Sequence, residues 1–507
     1  MATPTRAALR PPRWKALALA LLLAFGLPAQ AQLPTLGDGN DMTPAAERRM
    51  GEKIARELYR DPDYLDDPVL ADYVQGIWQP LLAAARARGE LTAELDERFA
   101  WQVLLGKDRS VNAFAVPGGW LGLNLGLVSV TQSRHELAAV LAHELSHVTQ
   151  RHIARIVAQE KRQTPWMIGA MVLGALAARK NADAANAAIA GSQALAVQNQ
   201  LNFSRDMERE ADRIGFGVMT QAGFEPQGFV SMFDKLQQAA RLNDSGAYPY
   251  LRSHPMTTER MADVQSRIQL APRERASGGA EALLLEHALM AARARALSAT
   301  GADSLRALVA EAGHLPASAP RLRRAGTLYA ASLAASRLRE GTAALQHAQR
   351  LLDEVHAEPA ATRRARLLLA EVAQAAGQPA RAATLLDAGA RERPEVLLWA
   401  QNRLATGQAP EVAQRLQSWV AERPRDATAW QVLAAAYAAQ GQMVRAIRAE
   451  AEAQVAQLDY QAALDRLKAA QDLARRGGPG TDYIEASIVD TRARQVESLL
   501  REQALER

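Results

Sequence analysis

The pattern of apolar and polar positions divides the chain into a mixed first half and an almost wholly helical second half. Residues 42–106 predict two helices and a first strand, Phe99–Leu105. Further strands are predicted over Val111–Val116 and Trp120–Val130, with a Pro-Gly-Gly turn at 117–119 between them. The first half is therefore expected to be an α+β unit with a small β-sheet.

The second half follows a polar, Gly-containing linker and is dominated by Ala, Leu, Arg and Gln. Its glycines at Gly341, Gly377, Gly407 and Gly441 recur at roughly the 34-residue period of tetratricopeptide repeats. One helix pair cannot bury its apolar face alone, so neighbouring pairs stack into a curved solenoid with a groove. Residues 280–507 are expected to form about four to five such repeats.

A helix is predicted to begin after Ser133, because Ser133 and Glu136 fit a capping box. A broad apolar stripe follows the cap, formed by Leu137, Val140, Leu141, Leu145 and Val148. Glu136 lies near the angular position of a later histidine and could be taken for a metal ligand. The capping role accounts for Glu136 more simply.

The same helix contains an HExxH motif at residues 143–147. Two imidazoles four residues apart project from one helical face, so His143 and His147 can both reach one zinc ion. Glu144 then lies beside the metal, where it can act as a general base toward water. His152 is about 180° around a straight helix from His143 and is therefore not expected to share that metal.

A catalytic zinc site needs a third protein ligand, and the best source is the charged segment 204–212. Glu208 and Asp212 are four residues apart and share a helical face, whereas Asp206 and Glu210 point the other way. Glu208 is the candidate ligand, and Asp212 can accept a hydrogen bond from a ligand imidazole. The alternative is a solvated acidic helix paired with arginines.

Three segments together resemble the gluzincin peptidases related to the CAAX prenyl endoproteases and HtpX. They are Leu141–His147, Ser204–Asp212 and Ser253-His254-Pro255. The periplasmic branch, the beta-barrel assembly-enhancing proteases, is the most similar, and Asn112–Gly119 also matches that family's strand before the active-site helix. The likeness covers roughly residues 40 to 270. It implies that His143, His147 and Glu208 bind one Zn²⁺ and that Glu144 is the general base.

The resemblance also implies a role for the His-Pro segment, which in this family lies over the metal and is followed by an arginine, here Arg260. His254 would occupy the open zinc position as a fourth ligand and block water, or stabilise the oxyanion of the tetrahedral intermediate. The first role gives a latent enzyme and the second an active one. We expect a loop movement to switch between them, and we count Arg260 with the catalytic residues.

Two segments near the predicted active site remain open to two interpretations. Asn112, Ala113, Phe114 and Ala115 form an edge strand that binds an extended peptide by strand addition, or an ordinary paired core strand. The apolar insertion 164–197 contains a strongly apolar run, Trp166–Ala178, that is too short for a transmembrane helix. It is either a helical hairpin packed on the protease, or a lid or peripheral membrane contact over the cleft.

The N-terminus carries the features of a secretory signal peptide. Basic residues precede the apolar run Ala16–Leu27, and Ala29-Gln30-Ala31 is a small-x-small cleavage site, so residues 1–31 are expected to be removed and the protein to be periplasmic. The chain has no Cys, which excludes disulfides and thiolate metal ligands. Four of the basic charges leave with the signal, so the net charge of +5 falls close to zero and nucleic-acid binding is not expected.

These features predict a mainly α (α+β) protein: a zincin-type metallopeptidase domain with a small β-sheet at residues 32–275, then an α-helical tetratricopeptide solenoid at 280–507. The resemblance implies a periplasmic zinc endopeptidase in quality control of outer-membrane beta-barrel proteins. Its expected substrates are unfolded or misassembled outer-membrane proteins, and its repeat groove would dock the assembly machinery. The alternative function is a chaperone or adaptor with a latent protease site.

Overall fold

A computed structural model describes residues 42–159, 194–241, 247–270, 280–476 and 482–504. The predicted signal peptide 1–31, residues 164–193 of the predicted insertion and the linker 271–279 lie outside these described residues. Within the described ranges, no helix combines the length and apolar character needed to cross a membrane.

A four-stranded sheet lies in the first half of the chain, in the order β1-β2-β4-β3. Its strands are β1 Tyr64–Leu65, β2 Gln102–Gly106, β3 Ala113–Val116 and β4 Trp120–Asn124. β2 runs parallel to β4, and β3 runs antiparallel to it, with Phe114 opposite Gly122. The predicted turn joins β3 to β4 through Gly118 and Gly119, whose φ angles of 72° and 92° favour glycine. β3 is thus an edge strand of the sheet.

Ten helices in the described residues surround this sheet. They are α1 Pro44–Arg60, α2 Pro68–Ala87, α3 Ala93–Arg98, α4 Leu125–Val130, α5 Arg134–Thr149, α6 His152–Gln159, α7 Ala194–Gln221, α8 Gln227–Arg241, α9 Tyr250–Ser253 and α10 Thr258–Leu270. The predicted combination of a helix-rich domain and a small sheet is confirmed.

Two of the predicted strands have the wrong bounds. Phe99 ends α3, and the chain passes through Trp101 with a φ of 50°, so β2 begins only at Gln102. The strand predicted over Trp120–Val130 ends at Asn124, and the remainder is α4. All five residues of β4 and most of α4 are buried. A continuous apolar run of this kind carries no period that separates a strand from a helix.

Helix α5 begins as predicted. Ser133 Oγ accepts the Glu136 N–H at 3.2 Å, while Glu136 accepts the Gln132 N–H at 2.7 Å and pairs with Lys235 at 2.6 Å. Glu136 is therefore a capping residue and not a metal ligand. α5 is buried on nearly every side, and α7 crosses it closely at Gly215, where a Cβ would lie 3.1 Å from the Ala142 backbone.

The second half consists of helices that pack on their neighbours in sequence. In the described residues they are α11 Ala280–Ser298, α12 Gly301–Gly313, α13 Arg321–Arg337, α14 Gly341–Val355, α15 Pro359–Ala375, α16 Pro379–Leu385, α17 Arg393–Ala405, α18 Ala409–Glu422, α19 Ala427–Ala439, α20 Met443–Ala456, α21 Tyr460–Arg476 and α22 Tyr483–Ala504. From α13 onward, alternate helices begin at intervals of roughly 34 residues, as expected for repeated helix pairs.

The periodic glycines occupy turns within these helix pairs. Gly377, Gly407 and Gly441 have φ angles of 73°, 80° and 73°, the left-handed conformation that ends a helix. Gly341 differs, because it begins α14 and the left-handed position is taken by Arg339 with a φ of 65°. At three of the four positions, the recurring glycine is therefore explained by the left-handed backbone at the end of a helix.

Salt bridges connect the helix pairs to the first half of the chain. Three acidic side chains at the beginning of α2 or just before it pair with arginines of α11, α15 and α17: Asp67 with Arg293 at 2.7 Å, Asp72 with Arg364 at 2.7 Å, and Asp66 with Arg393 at 2.6 Å. Arg293 also pairs with Glu371 of α15 at 2.8 Å. The three arginine-bearing helices are therefore held against the beginning of α2.

Candidate metal centre

Four side chains from three separate segments converge on one point. His143 and His147 come from α5, Glu208 from α7, and His254 follows α9. Each offers one donor atom, and the four atoms all lie within 4.8 Å of one another. His143 Nε2 lies 3.0 Å from His147 Nε2 and 3.3 Å from His254 Nδ1. Glu208 Oε1 lies 3.3 Å from His147 Nε2 and 3.0 Å from His254 Nδ1.

These separations fit a tetrahedral metal ion. Nitrogen and oxygen ligands at about 2.0–2.1 Å from a central ion are about 3.3 Å from one another. Four of the six donor separations are 3.0 to 3.3 Å, close to that value, and all six are within 4.8 Å. Three imidazoles and one carboxylate also form a typical donor set for a divalent transition metal. The residues present therefore fit a metal ion bound by His143, His147, Glu208 and His254.

Glu144 lies beside this cluster and is completely buried. Its Oε2 accepts the backbone N–H of Ala115 at 2.9 Å, which fixes the carboxylate against β3. Its Oε1 lies 3.4 Å from His254 Nε2 and has no hydrogen-bond partner among the described residues. A buried carboxylate oxygen without a donor, next to a metal site, is placed to accept a proton.

Asp212 and Arg260 hold the metal-binding side chains in place. Asp212 Oδ1 lies 2.9 Å from His143 Nδ1, the arrangement predicted from the sequence. Arg260 donates to both oxygens of Asp212 at 2.6 and 2.8 Å, and its Nη1 lies 2.9 Å from Glu208 Oε2. Arg260 thus contacts two carboxylates behind the ligands rather than the open side of the site, so this geometry gives it a positioning role.

Charge pairing outweighs the cost of burial at Asp212, Glu208 and His143, whereas burial prevails at His147 and lowers its pKa. Burial raises the pKa of Asp212, but Arg260 and His143 hold it below its ordinary value. The pKa of Glu208 is likewise held well below its ordinary value by His254 and His143, against the effect of burial. Burial lowers the pKa of His143, yet Glu208 and Asp212 raise it to about 10.

His152 contacts His147 of the cluster, although the sequence predicts it on the opposite side of the helix from His143. Its Nδ1 lies 2.8 Å from His147 Nδ1, and its Nε2 lies 3.1 Å from Glu210 Oε2. The interpretation of one straight helix from α5 through His152 was wrong. Helix α5 ends at Thr149, and Arg151 takes a φ of 53°, which turns α6 back toward the cluster. A non-glycine residue in this conformation has no clear sequence signal.

The segment leading to His254 lies along the edge of the sheet. Val111, just before β3, donates its N–H to Ala247 O at 2.8 Å, and Tyr250 N–H reaches Val111 O at 3.4 Å. The Tyr250 ring stacks on His254 with centroids 4.4 Å apart. Residues 247–254 thus cover the beginning of the edge strand and end at the metal cluster. The predicted substrate segment, Asn112–Ala115, begins immediately beside this contact.

The predicted substrate segment is partly occupied within the chain. Asn112 and Phe114 pair with β4 and Ala115 with Glu144, and Ala113 is fully buried. The side-chain Oδ1 of Asn112 is buried without a hydrogen-bond partner in the described part of the protein. Peptide binding at these residues stays a prediction.

Comparison with known proteins agrees with this geometry. Residues 77–268 match the model of peptidase family M48. The beta-barrel assembly-enhancing protease of Yersinia pestis is 33% identical over 254 residues, 50% of this chain and 50% of that protein. The Escherichia coli protein of the same name is 31% identical over 237 residues, 46% of this chain and 47% of that protein.

A more distant relative is the mitochondrial metalloendopeptidase OMA1 of Schizosaccharomyces pombe, 29% identical over 235 residues, 45% of this chain and 62% of that protein. The chain spans about half the length of the bacterial relatives that it matches. The matched segment contains the HExxH helix, Glu208 and His254. Residues 77–268 of this chain are thus similar to peptidase family M48 in sequence, and they contain the four clustered side chains.

Proposed function

We propose that this protein is a periplasmic zinc-dependent endopeptidase that acts on unfolded or misassembled outer-membrane beta-barrel proteins. The observation that carries the proposal is the convergence of His143, His147, Glu208 and His254 beside the buried Glu144. The donor set of imidazoles and a carboxylate favours zinc in a hydrolytic site. The printed names of the bacterial relatives support a role in beta-barrel assembly.

Peptide hydrolysis follows from the position of Glu144. A bound zinc ion would polarise the scissile carbonyl and make water more acidic. Glu144 Oε1, which has no donor in the described structure, takes a proton from the attacking water and returns it to the leaving amine. The Ala115 N–H holds the other oxygen at 2.9 Å, so the carboxylate keeps its orientation while the proton moves.

The arrangement corresponds to the latent form of the enzyme. His254 Nδ1 occupies the position of a fourth ligand, and a catalytic zinc site needs that position for water. His254 Nε2 also faces Glu144 at 3.4 Å, where a water molecule would need to be. Activity therefore requires residues 247–254 to move, which would also free the backbone of Val111 on the sheet edge.

An edge strand uncovered by this movement gives a way to select unfolded substrates. An extended chain that adds to β3 is held mainly by backbone hydrogen bonds, so it needs an unpaired strand and little specific sequence. Beta-barrel proteins before assembly present such strands. The repeat helices would contact the assembly machinery through surfaces other than those occupied by α2, because Arg293, Arg364 and Arg393 already pair with it. This arrangement makes a pure adaptor role the less favoured alternative.

The proposed function is tested by incubating the zinc-loaded protein with an unfolded substrate such as casein. We expect slow cleavage by the parent, no cleavage by Glu144→Gln and faster cleavage by His254→Ala. Glu225→Gln is the matched control, because Glu225 is exposed on a loop away from the metal cluster. Cleavage by Glu144→Gln at the parent rate, or none by zinc-loaded His254→Ala, would contradict the proposal.

The cellular role needs a separate test. In cells that lack the endogenous gene, the parent is expected to restore normal levels of assembled outer-membrane barrels, and Glu144→Gln is expected to leave misassembled forms undegraded. Equal rescue by the parent and by Glu144→Gln would show that proteolysis is not the cellular function.

A further inference from the structure

We propose that His152 and Glu210 are positioning residues that orient the metal-binding His147 through a one-way chain of hydrogen bonds. This inference rests on the proposed metal-binding role of the four-residue cluster. His147 Nδ1 lies 2.8 Å from His152 Nδ1, and His152 Nε2 lies 3.1 Å from Glu210 Oε2. Arg155 lies 2.6 Å from the same Glu210 oxygen and holds it in place.

The direction of the chain follows from the chemistry of imidazole. His147 Nε2 lies at the metal cluster, 3.0 Å from His143 Nε2, so it carries no proton when it binds a metal ion. The remaining proton of a neutral His147 is then on Nδ1, which must donate. His152 Nδ1 therefore accepts, which leaves the proton of His152 on Nε2. That N–H donates to Glu210.

Because the His152 ring is buried, the loss of its hydrogen bond to His147 would be costly. The His152 side chain is only 2% exposed, and its ring meets that of His147 at 81° with centroids 4.8 Å apart. Without His152, the Nδ1–H of His147 would have no hydrogen-bond acceptor among the described residues. An unpaired buried donor is costly, so the His147 ring would turn away from the orientation that the metal requires.

The two metal-binding histidines of α5 are thus supported in different ways. His143 is held directly by the carboxylate of Asp212 at 2.9 Å. His147 is held by a second imidazole, which passes the interaction on to Glu210 at the protein surface. The turn that permits this arrangement is held by Arg151, which pairs with the buried Glu47 of α1 at 2.8 Å.

A pair of substitutions of similar size separates hydrogen bonding from packing. His152→Leu fills the space without an acceptor, and His152→Gln retains a carbonyl oxygen that can accept from His147. We expect Zn²⁺ affinity, measured by competition with a chromophoric chelator, to fall roughly 10- to 100-fold in His152→Leu. The His152→Gln variant is expected to recover a large part of the loss. Asp206→Asn is the control, because Asp206 is exposed on the same helix as Glu210.

A second measurement uses the parent protein and needs no variant. In zinc-loaded protein with ¹⁵N-labelled histidine, two-bond proton–nitrogen spectra are expected to show His147 protonated on Nδ1 and His152 protonated on Nε2. A His152 proton on Nδ1 would overturn the proposal, even if His152→Leu failed to fold.

The outcomes also separate this inference from the proposed function. If the parent binds zinc and His152→Leu binds it equally well, the positioning role is wrong and the peptidase proposal stands. If zinc-loaded His254→Ala does not cleave while His152→Leu still weakens zinc binding, the peptidase proposal fails alone. A parent that binds no zinc overturns both.

Discussion

At the scale of single residues, Asp212 connects the metal cluster to the buried arginine that pairs with its carboxylates. Its carboxylate faces His143 Nδ1 on one side and receives two hydrogen bonds from Arg260 on the other. Arg260 in turn contacts Glu208, so one buried arginine serves two carboxylates. A change at Asp212 therefore disturbs the orientation of two metal-binding side chains without removing either.

We predict that Asp212→Asn lowers Zn²⁺ affinity roughly 10- to 100-fold, as is typical when the partner of a ligating histidine is changed. Asn keeps the size and one acceptor oxygen but loses the charge that pairs with Arg260. Chelator competition measures the effect, with Asp206→Asn as the matched exposed change on α7. Equal affinities for the two variants would show that Asp212 does not support His143.

At the scale of secondary structure, the sequence predicts helices with clear boundaries and fails where apolar residues are continuous. The Ser133 cap and the four-residue spacing of His143 and His147 specify α5 and one side of the metal cluster. The end of the β4 strand at Asn124 could not be predicted, because burial on all sides removes the periodic signal.

The contribution of His152 could not be predicted for a different reason. It depends on the turn at Arg151, a left-handed residue held by an ion pair with Glu47, which is 104 residues earlier in the chain. The residues that surround Arg151 in the sequence do not indicate a contact with a residue so far away along the chain. The placement of His254 on the cluster was accessible only through resemblance, because its loop has no pattern of its own.

Helix α11 makes a pH-sensitive contact with the peptidase domain through His287. The Tyr73 hydroxyl lies 2.6 Å from His287 Nδ1, and His287 Nε2 lies 2.9 Å from the carbonyl oxygen of Thr131, just before α5. The neutral ring accepts from Tyr73 and donates to Thr131. Burial is the main cause that lowers the pKa of His287 to about 4, with smaller contributions from nearby cations including Lys235.

We predict that this contact weakens the folded state in mild acid. Because the folded pKa lies below the unfolded value of about 6.5, the stabilisation is complete above pH 6.5 and is lost as the pH falls toward 4. The loss from this group is about 3 kcal/mol over that window. In His287→Gln, the free energy of unfolding should fall less steeply between pH 6.5 and 4.

Denaturant unfolding at a series of pH values measures this difference. His314→Gln is the control, because His314 is exposed at the end of α12. If His287→Gln and the parent have parallel stability curves from pH 6.5 to 4, protonation of His287 does not contribute to acid sensitivity.

At the scale of the whole molecule, the repeat helices stabilise the peptidase domain through ion pairs. The beginning of α2 is held by arginines from three helix pairs, and α2 packs beneath the metal-binding helix α5. The most buried of these connections joins Asp67 and Arg293, whose side chains are 7% and 3% exposed, and Arg293 also pairs with Glu371. The two halves of the chain are therefore expected to unfold together.

Asp67→Asn tests this coupling cleanly. Asp67 also caps α2 by accepting the Leu70 N–H at 2.8 Å, and Asn is an equally good cap, so the substitution removes the charge and keeps the helix start. Breaking a buried ion pair on one side typically costs about 3–5 kcal/mol, and we expect a loss near about 3 kcal/mol because Glu371 still pairs with Arg293.

The measurement is equilibrium unfolding followed by both tryptophan fluorescence and far-ultraviolet circular dichroism. The parent should give one coincident transition, whereas Asp67→Asn should shift to lower denaturant and separate the two signals as the peptidase half loosens from the repeats. Asp303→Asn, which removes half of a fully exposed pair with Arg306, should change stability by less than about 0.5 kcal/mol. If Asp67→Asn behaves like Asp303→Asn, the repeats do not stabilise the peptidase domain through this ion pair.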